Sequence, residues 1–442
     1  MNNALSGKNS FAKILKFTFP TIVTLIFTSI YNVVDSFFIA KFVGKDEFSG
    51  VTFIVPFIMI LGAIGFMFGT GGSALISKTF GEGEKEKACS LFSLIIYVSI
   101  ILGLLIAFLG FIFLEPVAQL LGAKDDLLKH SITYGHFLIV ALPAFILQFE
   151  FQSLFSTAGK PQLCFYITVL AGITNIILDA LFVVVFEFGL KGAAIATLIS
   201  QCIGGFLPIF YFALPNSSSL RLGKITFAFT PLLKIISNGF SELLTQISMS
   251  FVGVLYNMQL LRYAKADGVA AYGALMSVGF IFFAIFIGYA VGVSPLISYQ
   301  YGAKNTQEVK NLLYKSFVLI SLFAITMFLS SLSLASPLSH LFFGNDAKLL
   351  SMTVRAFYIF SFTFLFAGFN MFVSAFFTAL NNGLISAIIS FMRTVVFQVI
   401  AVLIFPLIWK VDGIWFSIVG ADIMAILTIA LFLIFNKKRY GY

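Results

Sequence analysis

Long apolar runs alternate with short polar breaks along the whole chain. Twelve runs are legible, at about 14–40, 50–76, 91–114, 132–157, 163–187, 191–213, 235–261, 270–297, 314–336, 354–380, 384–408 and 412–435. Each is long enough to cross a bilayer as an α-helix, which takes roughly 20 apolar residues. The hydrocarbon offers no water to backbone N–H and C=O groups, so runs of this length span as helices, whose backbone bonds are internal. The pattern predicts an all-α polytopic membrane protein with twelve transmembrane helices. An even number places both termini on one side. That side also carries the larger share of Lys and Arg, including Lys437, Lys438 and Arg439. The positive-inside rule makes it cytoplasmic. The expected location is the plasma (inner) membrane of a prokaryotic-type cell.

The pattern also repeats. A shift of 221 residues lays SALISKTFG (Ser73–Gly81) on SPLISYQYG (Ser294–Gly302). The same shift pairs Glu115-Pro116 with Ser336-Pro337, Asp125 with Asp346, Thr157-Ala158 with Thr378-Ala379, and Gly192 with Gly413. One offset holding in separated regions predicts two six-helix lobes from a tandem duplication. Their pseudo-axis is expected along the membrane normal, because six spans return the chain to its starting side. The lobes are expected at 1–213 and 235–442, joined by a cytoplasmic linker at 214–234. Two lobes enclose a cleft, and rocking them gives alternating access.

Composition narrows the function. Of 442 residues, 60% are hydrophobic and 10% charged, with a mean hydropathy of +1.04. The net charge of +9 is spread over many short connections, which argues against a nucleic-acid partner. No GxxxxGK[ST] occurs, so ATP is not expected to drive the protein. Cys89, Cys164 and Cys202 lack metal or redox spacing and read as packing residues. His130, His136 and His340 form no HExxH or nucleophile arrangement, so an enzyme is not expected, and no cofactor is. Neither a cleaved leader nor a separate soluble domain is expected.

Candidate chemistry lies in the acids within the apolar runs: Asp35, Glu150, Asp179, Glu242 and Asp422. A carboxylate at membrane depth costs about 3 kcal/mol on insertion scales, so it needs a partner or a task. Asp35 stands near the outer end of the first run. Asp179 lies in the outer half of the fifth, with Asn175 one turn deeper on the same face. Thr197 enters the sixth run at a compatible depth. Two carboxylates, an amide and a hydroxyl suit Na⁺, or a proton shared by the acids. The alternative is a protonated, hydrogen-bonded structural cluster. The 221-residue shift maps Asp35, Asn175, Asp179 and Thr197 to Tyr256, Val396, Ile400 and Ile418, so the second lobe lacks the set. Glu242, Asp422 and Tyr31 are candidates for a cargo cleft, and Glu150 reads as interfacial or paired. Pro20 removes a helix hydrogen bond, so a bend is expected there. Aromatic side chains lining the cleft would attract organic cations.

These pieces resemble the multidrug and toxic compound extrusion (MATE) family. The similarity is carried by YNVVDSFFIAKFVG, ALISKTFGEGEKEKA, FSTAGKPQ, NIILDALF and SPLISYQYGAKN, and it runs essentially the length of the chain. The resemblance implies two lobes of six helices and export of cationic, amphiphilic compounds in exchange for Na⁺ or H⁺. It further implies that Asp35, Asn175, Asp179 and Thr197 form the cation site and that Pro20 is a bending point. No acid falls in the tenth run, and Glu242 sits early in the seventh, which departs from the family branch with acids in both. A lipid-linked saccharide flippase of the same superfamily is the alternative. It would require basic residues deep in the cleft, where Arg393 alone lies deeper than a loop. The expected partners are the bilayer and small organic cations or drugs, and a monomer is expected.

Overall fold

A computed structural model describes residues 5–225, 229–344 and 346–442, and its regular elements are all helical. The first half contains α1 (Phe11–Phe38), α2 (Lys45–Gly81), α3 (Lys85–Leu120), α4 (Asp125–Thr157), α5 (Pro161–Asp179) and α6 (Gly189–Ala213). The second contains α7 (Phe229–Gly302), α8 (Thr306–Phe343), α9 (Ala347–Ser361), α10 (Phe364–Ala379), α11 (Gly383–Phe391) and α12 (Gln398–Tyr440). Short π-helical stretches follow α1 (Ile39–Val43), α5 (Ala180–Val185) and α11 (Met392–Phe397).

Local signals start these helices. Ser10 accepts the Lys13 N–H at 3.2 Å, Asn305 caps Glu308, and Asp346 accepts from Lys348 and Leu349 at 3.0 Å each. Pro161 opens α5, where its missing N–H costs nothing. Most helices outrun the apolar segments read from sequence, because charged first and last turns (Lys85–Lys87, Lys437–Arg439) extend them beyond the oil.

Among the described residues, nine helices are long and apolar enough to cross a membrane, or ten if α9 and α10 together form one span. This is an integral membrane protein. Helix α7, at 74 residues, would be about 110 Å long as a straight rod, against roughly 30 Å of hydrocarbon. It is interrupted at Lys265 (φ 56°, ψ −149°). The 58-residue stretch Gly383–Tyr440 is interrupted likewise at Lys410 (φ 52°, ψ −126°). The tenth run, expected at 354–380, lies on α9 and α10, a helix pair bent by 49° at residues 362–363. No proline marks that bend. At Pro20, by contrast, α1 stays helical throughout, and the Thr24 hydroxyl bonds the Pro20 carbonyl at 2.7 Å. The expected bend is therefore not accompanied by a break.

The two halves meet where α2 crosses α7. Gly71 lies under the Ile235 carbonyl and Gly239 under that of Met67, so a Cβ at either would collide with backbone. Gly81 and Gly302 repeat the arrangement against Tyr299 and Lys78. Hydrocarbon does not drive helices together, so such interfaces depend on small residues that let backbones approach. The seam closes the end of the molecule where α1 begins. Helix α1 lies between the halves: Ile14, Phe17 and Ile22 join the apolar core of the second half, while Phe27 and Tyr31 pack on Gly172 of α5.

Candidate functional site

Helices α1, α4, α5 and α6 converge on one polar cluster near the far ends of α1 and α5. Asn175 and Asp179 share a face of α5 and are buried, at 1% and 0% exposure. The Asp35 carboxyl interacts with the side chains of Asp179, Asn175 and Thr197. The structure thus brings together the four residues singled out from sequence. They converge without pairing off. Asp35 Oδ1, both Asp179 oxygens and both Asn175 amide atoms are buried with no hydrogen-bond partner. Leaving buried polar atoms unsatisfied costs on the order of 1–3 kcal/mol each, more for charged groups. Two adjacent carboxylates cannot both carry charge here without something between them. The donor set fits a hard cation or a shared proton, because the orphaned atoms are mainly oxygens.

Two features of this site were not read from sequence. Tyr134, on α4 and 2% exposed, places its hydroxyl 3.5 Å from Thr197 Oγ1. Thr197 also reaches the Ala193 carbonyl at 3.0 Å. An aromatic residue in a mostly apolar helix carries no spacing signal. The second feature is backbone: π-helical stretches begin four residues after Asp35 and immediately after Asp179. Single π turns inside helices recur at functional sites because they displace the local hydrogen-bond ladder. Tyr31, expected in a cargo cleft, stands one turn from Asp35, acts on that carboxyl and faces Gln148 of α4.

The remaining acids separate. Asp422, placed by sequence among the cleft candidates, is the buried half of an ion pair. Arg393 Nε donates to its Oδ1 at 2.8 Å, and Asn370 Nδ2 donates to the same oxygen at 3.2 Å. Glu242 is half-buried and lies within the field of Arg393. Glu150, read from sequence as interfacial or paired, is fully buried in the protein, and Ser99 of α3 is the polar group that acts on its carboxyl. Its position near the end of α4 suggested an interface, but α2 and α3 cover that end.

A bundle of membrane-length helices in two halves, with unpaired carboxylates held in one of them, has the form of a polytopic carrier. The family model described as MatE matches residues 20–181 and again 243–404, two stretches displaced by nearly the 221 residues of the sequence repeat. The chain belongs to the MatE family, the multidrug and toxic compound extrusion proteins. It is 25% identical over 343 residues to the multidrug export protein MepA of Staphylococcus saprophyticus, covering 77% of this chain and 75% of that one. The MepA protein of Staphylococcus aureus (strain MRSA252) is 26% identical over 369 residues, covering 81% and 80%. Among solved structures, a MATE protein in complex with MaL6 matches with a TM-score of 0.93 at 20% identity, over 99% of this chain and 98% of that one. An outward-facing multidrug resistance MATE family transporter of the MOP superfamily also matches at 0.93, with 21% identity and the same coverage. At such identities these two similarities speak for the fold.

Proposed function

We propose that this protein is a secondary active multidrug exporter that moves cationic amphiphilic compounds outward in exchange for Na⁺ or H⁺. The observation that carries the reading is the convergence of Asp35, Asn175, Asp179 and Thr197 with their polar atoms buried and unpartnered. The names of the MepA relatives support the cargo class. The breaks at Lys265 and Lys410, with α9 and α10 counted as one bent span, support twelve membrane crossings. The twice-matched family model supports two lobes, 1–213 and 235–442, around a linker at 214–234. Helix α7 begins within that linker, at Phe229. Both termini are assigned to the cytoplasm, which makes the closed α2–α7 seam an inner gate and this conformation outward-facing. The protein acts as a monomer in this reading.

In the proposed cycle an ion enters from outside and binds between Asp35 and Asp179. Neutralising the acids draws α1 toward α5 and changes its path at Pro20, where one backbone hydrogen bond is already missing. The cleft then releases its cationic cargo outward. After the lobes rock, the ion leaves inward and a new organic cation enters. Ion and cargo must alter each other's affinity by the same factor. The flippase alternative has less support, since Arg393 is committed to Asp422 rather than free to hold a pyrophosphate.

The test is transport of a dye cation by purified protein in vesicles, with Na⁺ and pH gradients imposed separately. Dye should move against its gradient with one of them. Asp35→Asn should insert normally and lose driven transport, whereas unchanged driven transport in that variant would refute the assignment.

A further inference from the structure

The turn between α10 and α11 is pressed against the first turns of α7, and from there it reaches across to the first half. Gly383 lies under the Ser237 carbonyl, where a Cβ would stand 2.0 Å away. The next residue of α7, Asn238, is buried and bonds this turn twice. Its Oδ1 accepts the Gly383 N–H at 3.2 Å, and its Nδ2 donates to Asn381 Oδ1 at 2.9 Å. A backbone N–H can only donate, so it fixes which end of the Asn238 amide faces it. Asn238 Nδ2 must then face Asn381, which answers with its oxygen. This chain of bonds orients the Asn381 amide and turns its Nδ2 toward α2. That nitrogen donates to the Ala74 carbonyl of α2 at 3.3 Å and to the Ala379 carbonyl of its own turn at 3.4 Å.

Backbone conformation explains why an asparagine can stand there. Helix α10 ends on a left-handed residue, Asn381 (φ 57°), and the Asn382 N–H closes on the Phe377 carbonyl at 2.9 Å. Such a position usually takes glycine and sometimes asparagine. The corresponding turn after α4 has Gly159 (φ 71°) in the same role, with the Lys160 N–H closing on the Phe155 carbonyl at 2.8 Å. Either residue satisfies the backbone, but of the two only asparagine carries an amide. The second half therefore reaches the first at this point, and the first has no side chain at its left-handed position to reach back.

Ala74 is fully buried and stands one turn along α2 from Gly71, which fits under the Ile235 carbonyl. Asn238 is likewise the neighbour of Gly239, which fits under Met67. The bond thus lies within the closed seam rather than at its rim. Glycine against backbone allows close approach, whereas a hydrogen bond is directional and also fixes the register of the two surfaces.

We propose that Asn381 is the latch of the inner gate: its Nδ2–H holds the Ala74 carbonyl while the seam is shut and releases it when the halves part. Asn238 is the positioning residue that aims the amide. That the seam opens at all rests on the alternating-access reading above, whereas the bond itself does not.

The experiment places spin labels at Glu82→Cys and Lys304→Cys, which are exposed on either side of the seam. Cys89, Cys164 and Cys202 are replaced by Ser, and label distances are measured in vesicles without cargo. Asn381→Asp keeps an oxygen for Asn238 but has no N–H for Ala74. Asn381→Gly keeps the left-handed turn and removes the whole side chain. Each should raise the ratio of long to short distances about fivefold, the worth of one net hydrogen bond. Asn238→Asp leaves Asn381 in place but reverses its amide, because two oxygens would otherwise meet, and should lengthen the distance to a similar extent. Unchanged distances in both Asn381 variants overturn the latch. Lengthening in Asn381→Gly alone overturns it too, since the hold on Asn238 and not the reach to Ala74 would then matter. Driven dye transport by the unlabelled protein is measured separately: its absence counts against the exporter reading and leaves the distances as the test of the latch.

Discussion

The acids of this protein differ by what surrounds them. Asp422 has Arg393 and Asn370, Asp35 and Asp179 have each other, and Glu150 has a serine. The Arg393–Asp422 pair should be costly to break from one side. Arg393→Met strands a buried carboxylate and should destabilise the protein by about 3 kcal/mol. Arg393→Met with Asp422→Leu should recover most of that loss, as read by thermal unfolding in detergent. At the candidate ion site the effect should be smaller and functional. Tyr134→Phe removes the hydroxyl beside Thr197 and should weaken ion binding several-fold, on the order of 1 kcal/mol, while leaving the melting temperature nearly unchanged. Asp35, Asn175, Asp179 and Thr197 were legible because polar groups in long apolar runs stand out and helix geometry orders their depths. Tyr134 was not, since nothing in its neighbours distinguishes a site tyrosine from a packing one.

At the scale of elements, two sharp turns of the backbone fall in the breaks that the apolar pattern leaves between runs, at 262–269 and 409–411. Lys265 and Lys410 adopt φ and ψ values that glycine alone occupies without strain, a cost of order 1–3 kcal/mol for other residues. Lys265→Gly should therefore raise stability by about 1 kcal/mol, measured as a higher unfolding temperature with unchanged transport. Apolar periodicity located these helices because water-free surroundings force every long run into one form. It missed the α9–α10 bend and the π stretches after Asp35 and Asp179, which are small changes in backbone pairing with no required residue type. Proline at position 20 announced a weakness in α1, yet the helix runs continuously through it from Phe11 to Phe38.

For the whole molecule, the decisive surface is the glycine-lined seam between halves. Gly239→Leu puts a side chain where the Met67 carbonyl stands. The seam should then remain open, seen as a longer distance between spin labels at Glu82→Cys and Lys304→Cys than in the unsubstituted protein and as loss of driven dye transport. The chain by itself determined that this is a helical membrane protein, and its apolar runs pointed to a one-sided set of acids within them. Oil leaves the backbone few options and makes every misplaced charge conspicuous. Tertiary structure alone decided which acids share a neighbour, which are neutralised and which are left alone, because those outcomes depend on helices distant in sequence. It also decided that the end bearing α1's start is shut, since closure is a matter of how near two backbones come.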